Sequence, residues 1–374
     1  MNRDVSAIWY EYEEVSQTDS PSFIIYLERV RENIRIMKGM IDDVKRLRPH
    51  VKTHKILEII SLLRNEGIEK FKCATIAEAE MVAMAGGKDI LLAYQPVGPK
   101  VERLCKLMKQ YPLSSFSCLF DDREAVEYIS KVAKENRLTI PVYLDLNVGM
   151  NRTGITVGDE AFLLYMSASR LEGLEVIGLH AYDGHIRNES FEERVKICNQ
   201  SFEQVGNLKN RIIESGLRKP VIVAGGTPTF QIHANRGEVE CSPGTFIFWD
   251  KGYEATLSEQ KFLHAALVLC RIISIPSTNK ICVDLGHKAI ASENELSKRV
   301  FFLNAPDLKV VGHSEEHLIV EVPASSEYKV GDVLYGLPYH ICPTCALYDK
   351  ALVIEEGKVV GEWKIIGRNR KINF

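Results

Sequence analysis

From about Ser22 to Asp250 the chain alternates short β-branched or aromatic runs with longer amphipathic stretches, the pattern of repeated strand and helix units that build a parallel sheet. The strand candidates are Phe23 to Leu27 (FIIYL), Pro49 to Lys52 (PHVK), FKCAT, ILLAY, FSCLF, VYLDLN, VIGLHAY, VIVAGG and Phe246 to Trp249 (FIFW). Helical stretches such as ILEIISLLRNEG and IAEAEMVAMAGG lie between them, with ends marked by Gly67 and the Gly86-Gly87 pair. A (β/α)8 barrel takes eight strands, so nine runs leave one outside the ring, and Phe23 to Leu27 is the candidate for exclusion.

After about Lys251 the pattern changes. HAALVLCRIISI, KICVDLG, HLIVEV and KALVIEEGKVVGEWKII alternate as antiparallel strands do, with turns at Gly331-Asp332 and Glu356-Gly357. The expected fold class is therefore α/β: a (β/α)8 TIM-type barrel over residues 22–250, followed by a mostly antiparallel β domain over residues 251–374. The alternating IWYEY segment in the first 21 residues is expected to add a strand to that domain. No internal repeat is visible.

Charge narrows the partners. With 47 basic against 50 acidic side chains there is no cationic excess to neutralise nucleic-acid phosphates or anionic lipid. No apolar run approaches the roughly 18 residues of a membrane helix, and the N-terminus is acidic where a signal peptide would be basic. Nine scattered cysteines, an odd number, read as buried thiols in a reducing compartment, so a cytoplasmic location is expected.

Chemistry in such a barrel sits where the strands end. Lys52, in RPHVKTHK, closes an apolar run, where desolvation makes an amine nucleophilic and able to form a Schiff base; a solvated strand-end lysine is the other reading. Arg152, in GMNRTG between Gly149 and Gly154, suits an anionic oxygen, or is a solvated loop arginine. The turn Gly225-Gly226-Thr227 in VIVAGGTPTF and the SPGT turn from Ser242 to Thr245 are placed as the two halves of a phosphate cradle, or are plain turns. In PYHICPTC, His340 and Cys342 flank Ile341, so on an extended segment they face one side and can share one metal ion. Imidazole plus thiolate favours zinc, and two protein ligands leave positions open. The Cys342-Pro343-Thr344-Cys345 redox motif and plain structural thiols compete with that reading, although a redox CxxC normally opens a helix.

RPHVKTHK, GMNRTG, GGTPT, SPGT, DLGHKAIASE, SEEH and the late His-x-Cys together resemble the D-threonine aldolase/D-serine dehydratase family, pyridoxal-phosphate enzymes of the alanine racemase fold. The resemblance runs from Ser22 to the C-terminal domain. It implies that Lys52 carries pyridoxal 5'-phosphate, that Arg152 meets the cofactor's phenolic oxygen, and that Gly226, Thr227 and Gly244 hold its phosphate. Tyr182, in HAYDGH, falls where the family has an aromatic residue near the cofactor, while His180 and His185 read equally as packing residues. It further implies a homodimer in which the β domain of one subunit closes the barrel mouth of the other.

Two departures count against a racemase: Ser242 stands where alanine racemase has an arginine facing the pyridine nitrogen, and the second catalytic tyrosine segment has no match. Non-enzymatic carriers of the cofactor consist of a barrel alone, whereas this chain adds a second domain and the metal pair. In the family, aldolases carry a His-x-Asp metal pair and dehydratases His-x-Cys. His340-Ile341-Cys342 therefore implies a D-serine/D-threonine dehydratase with a divalent metal, zinc ahead of manganese, and D-threonine aldolase is the alternative. The partner is a small D-amino acid.

Overall fold

A computed structural model describes residues 8–323 and 327–374. The chain divides into two compact units: Met37–Gly244 with Ile366–Phe374, and Thr245–Ile365 with the segment ending at Ile36.

The first unit is the parallel sheet. Its strands are β2 (Lys70–Cys73), β3 (Asp89–Leu92), β4 (Ser115–Phe120), β5 (Ile140–Asn147), β7 (Leu174–Ala181), β8 (Val221–Ala224) and β9 (Val239–Cys241), paired in that order, with the two-residue β6 (Ile155–Thr156) beside β5. Helices α2 (Leu57–Asn65), α3 (Ile76–Met84), α4 (Pro99–Gln110), α5 (Arg123–Glu135), α6 (Asp159–Ala168) and α7 (Phe191–Glu214) connect them, with the short α8 (Phe230–Ala234) after β8. Residues 47–51 close the ring. Arg48 N donates to Cys241 O at 2.8 Å, Lys72 N to Pro49 O at 3.0 Å and Val51 N to Lys72 O at 2.9 Å. The PHVK run thus serves as the eighth stave through two parallel bridges, without becoming a regular strand.

The closing segment is held by a buried charge cluster. Arg48, fully buried, donates to both carboxylate oxygens of Asp89 at 2.7 and 2.8 Å and to Glu240 at 2.7 Å. Burial opposes its charge, but Glu240 and Asp89 outweigh that and keep the guanidinium ionised. A fork-shaped donor between two carboxylates fixes β9, the closing segment and β3 in one register.

Two strand expectations are corrected here. Phe246 to Trp249 is not a strand: Thr245–Ile247 is a 3-10 turn, and its aromatic side chains are buried because the turn packs inward. The missing stave is β9, whose polar Glu240 breaks the apolar run that sequence reading looks for, because that carboxylate is spent on Arg48.

The second unit is a nine-stranded sheet in the order β13 (Lys309–His313), β14 (Leu318–Glu321), β11 (Lys280–Val283), β10 (Ala266–Ser277), β1 (Ser22–Tyr26), β16 (Lys350–Glu355), β17 (Lys358–Lys364), with β15 (Val333–Pro338) on β10 and β12 (Val300–Phe302) on β15. β1 is the run left outside the ring: it pairs antiparallel with β10 and parallel with β16, and leads into α1 (Leu27–Gly39). The IWYEY segment is a turn rather than a strand. Its Tyr10 and Tyr12 instead fill a core with Tyr26, Leu267 and Tyr335, and Tyr26 Oη donates to Tyr10 O at 2.6 Å. Two short helices, α9 (Lys251–Thr256) and α10 (Ile341–Ala346), complete the unit. Among the described residues no helix is long and apolar enough to cross a membrane, and all nine cysteines are free thiols.

Candidate active site

Three of the sequence-predicted site residues, Lys52, Arg152 and Tyr182, meet around one cavity of about 300 Å³ in the barrel unit, lined also by His50, Lys72, Ala74, Ala93, Tyr94, Thr153 and His180. Tyr182, directly after β7, is its hub: Arg152 Cζ lies 4.9 Å from the ring centroid, Lys72 Nζ 5.2 Å and Lys52 Nζ 5.8 Å. Gly226 brings the GGTPT turn against the same ring, since a Cβ there would sit 3.1 Å from Tyr182 Cε2. Across the cradle, Gly244 N donates to Thr227 Oγ1 at 3.2 Å, and a Cβ on Gly244 would meet His50 O at 3.1 Å. Lys52, Arg152, Tyr182, Gly226, Thr227 and Gly244 thus share one locality although 192 positions separate the first from the last.

The Arg152 loop is braced. Gly154 adopts φ +94°, a conformation open to glycine, and its N–H donates to Asp121 at 2.8 Å. Thr153 hydrogen-bonds Asp145. Asp145 and His180 face each other across the β5–β7 ladder, with His180 Nδ1 2.6 Å from Asp145 Oδ1. Burial opposes the Asp145 charge, but His180, Thr153 and Lys72 outweigh it and hold its pKa low; burial, then Lys72, lowers that of His180. The pair is a carboxylate and a neutral imidazole, so Nδ1 donates and Nε2 keeps a lone pair, which is buried and unpartnered among the described residues. His185 is exposed and packs beside Gly149, apart from the cavity.

Sequence reading missed Lys72 and the Asp145–His180 pair. The signal was present: each is an ionisable residue inside a strand with apolar neighbours, and a parallel strand buried on both faces tolerates charge only where it is answered.

A pyridoxal phosphate fits this locality. Three cations and no lining carboxylate suit a polyanion, the Gly226 approach leaves little room for a side chain, and Ser242 Oγ, buried and unpartnered among the described residues, is a polar group awaiting an acceptor or donor.

His340 and Cys342, the expected metal pair, lie in the other unit, and their geometry differs from the expectation. His340 is not on an extended segment with Cys342; it caps α10, so Cys342 sits in the first helical turn and the CPTC motif does open a helix. The two still meet. Cys342 is a hydrogen-bond partner of His340, while His340 Nδ1 also pairs closely with Glu293 of DLGHKAIASE. Burial opposes the imidazolium, but Cys342, Glu293 and Asp250 outweigh it, raising His340 to about 9. Asp250 orients the helix start through Ile341 N at 3.1 Å. Nitrogen, sulfur and a neighbouring carboxylate form a donor set suited to zinc.

Among the described residues, Asp183, Cys198 and His233 bring three metal-competent donor atoms within 4.8 Å of one another. Arg236 Nε donates to His233 Nδ1 at 3.2 Å, so His233 Nε2 carries the proton and donates to Asp183 Oδ2 at 2.8 Å. That leaves no imidazole lone pair for a metal. Asp183 Oδ1 accepts from Thr229 Oγ1 at 2.7 Å, which ties the trio to the GGTPT turn.

The fold and the cavity define an enzyme of the alanine racemase type. Residues 25–251 match the alanine racemase N-terminal domain model and residues 265–354 a putative serine dehydratase domain. The chain belongs to the D-threonine aldolase/D-serine dehydratase family, pyridoxal-phosphate-dependent lyases acting on D-amino acids. It is 29% identical to a D-threonine aldolase of Arthrobacter sp over 95% of this chain and 94% of that protein. It is 24% identical to a D-threo-3-hydroxyaspartate dehydratase of Delftia sp. (strain HT23), over 92% and 97%. The structure of D-threonine aldolase from Filomicrobium marinum superposes with a TM-score of 0.87 at 25% identity, covering 94% of this chain and 96% of that one.

Proposed function

We propose that this lyase is a metal-dependent dehydratase of a D-β-hydroxy amino acid, releasing ammonia and a 2-oxo acid. The observation that carries the choice is the donor pair His340 and Cys342, a thiol where the aldolases of the family carry a carboxylate. A softer donor set favours zinc, with manganese as the substitute. The aldolase reading is favoured by a different observation, the 29% identity to a D-threonine aldolase.

In this reading Lys52 would hold the cofactor through its carbonyl, Arg152 would answer its phenolic oxygen, and Gly226, Thr227 and Gly244 would hold its phosphate. Tyr182 would pack against the cofactor, and Ser242, neutral and buried, would be the group offered to its ring nitrogen. When bound, the cofactor is an electron sink for a carbanion at Cα. Lys52 would take the substrate's α-proton. His180 Nε2, fixed as an acceptor by Asp145, receives a hydrogen bond inside the cavity. His340 and Cys342 would hold a metal, which would supply Lewis acidity for a hydroxide leaving group.

The active form is proposed to be a cytoplasmic homodimer; a fully active monomer in sedimentation would contradict the assembly. The reaction is tested by incubating D-serine with the cofactor- and zinc-loaded protein. Ammonia and pyruvate are expected, lost on chelation and regained on adding zinc. Full-rate ammonia release by metal-free protein would remove the role of His340 and Cys342.

A further inference from the structure

Lys70 and Lys72 lie two residues apart on β2, so both side chains point to the same face of the strand. Their surroundings differ. Lys70 pairs closely with Glu240. Lys72, one pleat closer to the strand's C-terminal end, is 2% exposed, and its Nζ makes no hydrogen bond or ion pair among the described residues. It faces the cavity beside Tyr182, and no carboxylate lines that cavity.

A buried amine answered by an aromatic face alone, here Tyr182 at 5.2 Å, still costs energy when charged, so the position is best tolerated where an anion answers the charge for part of the working cycle. Burial lowers the Lys72 pKa to about 7, Lys52 and Arg152 push the same way, and Asp145 and Asp183 oppose them. The other two cations of the cavity have tasks in the proposed reaction, Lys52 at the cofactor's carbonyl and Arg152 at its phenolic oxygen. Lys72 has none.

We propose that Lys72 is the carboxylate anchor of the substrate pocket, a non-covalent lysine that binds a carboxylate of the incoming amino acid. The inference rests on the reading of the cavity as the site of a D-amino acid lyase. Two carboxylates are candidates: the α-carboxylate that every substrate carries, and the side-chain carboxylate of a 3-hydroxyaspartate. An ammonium is a compact donor that suits either, and a charge-assisted bond in a dry cavity changes affinity by about 10- to 100-fold.

The test uses the cofactor- and zinc-loaded protein and Lys72→Met, Lys72→Gln and Lys72→Arg. Calorimetry measures binding of propionate, with one carboxylate, and succinate, with two; kinetics compare D-threonine with D-threo-3-hydroxyaspartate. Lys72→Met and Lys72→Gln are expected to weaken carboxylate binding about 30-fold and to place the kinetic loss in KM rather than kcat. Lys72→Arg restores part of the binding. Lys72→Met should melt no lower than the parent, because it removes an unanswered buried charge, and Lys72→Gln substitutes for it if it does not fold. Equal losses on both amino acids assign the α-carboxylate, and a loss at least tenfold larger on the hydroxyaspartate assigns the side-chain carboxylate. The proposal is overturned if neither probe binds the parent protein, if binding is within twofold of the parent in both neutral variants, or if kcat alone falls. Lysine-dependent succinate binding by a protein that turns over neither amino acid would retire the lyase reading while leaving the anchor standing.

Discussion

Asp145 and His180 are direct neighbours across two parallel strands, and their 2.6 Å contact decides which imidazole nitrogen is presented to the cavity. A carboxylate can only accept from Nδ1, which leaves Nε2 as the acceptor. An asparagine can donate to Nδ1 and so turn Nε2 into a donor. Asp145→Asn is therefore expected to lower kcat/KM about 10- to 100-fold with the fold intact. Steady-state kinetics with D-serine check this, and a change within twofold would mean that the Nε2 lone pair does no work.

Lys52→Ala is expected to remove both turnover and the absorption near about 420 nm that a lysine-linked pyridoxal phosphate gives. Borohydride reduction followed by peptide mapping is the decisive check. A label retained by the variant, at Lys72 or elsewhere, would reject the assignment.

The GGTPT turn, the proposed phosphate site, is held from behind. Asp183 accepts from Thr229 Oγ1 at 2.7 Å, and Gly226 N donates to that same oxygen at 3.4 Å. Asp183→Asn weakens a charged hydrogen bond under the turn, so the cofactor should bind about tenfold less tightly. Equilibrium dialysis of pyridoxal phosphate measures it.

Stability should fall in mild acid. His54 is buried, and burial first of all lowers its pKa to about 3, with Lys55 adding. Below its ordinary value near 6.5 the unfolded chain takes up a proton that the folded chain refuses, so stability is lost as pH falls through that value and continues to fall toward pH 3. From pH 7 to pH 5 the loss at this one residue is roughly 2 kcal/mol. Urea denaturation of the parent and His54→Asn, whose side chain can still accept from Ile56 N, should differ in slope by that amount.

Much of this architecture is legible in the sequence because apolar periodicity is a local property. β2 to β5, β7 and β8 are apolar runs with polar punctuation, and the turn at Glu356-Gly357 announces itself, both residues taking positive φ. What escapes is whatever depends on distant partners. Glu240 hides β9 because its partner Arg48 is 192 residues away. IWYEY alternates like a strand, yet its tyrosines are spent on a core with Tyr26 and Tyr335, so the backbone is free to turn. His340 and Cys342 were placed together through extended geometry, and a helix cap achieves the same meeting by another route. Lys72 escaped since nothing within the strand says whether its charge is answered.

D-threonine separates the two reactions of the family most directly, because it can undergo either. With zinc-loaded protein the account predicts ammonia and 2-oxobutanoate in equal amounts, with glycine and acetaldehyde at trace level. Glycine and acetaldehyde as the main products, with no matching ammonia, would contradict it and make the chain an aldolase.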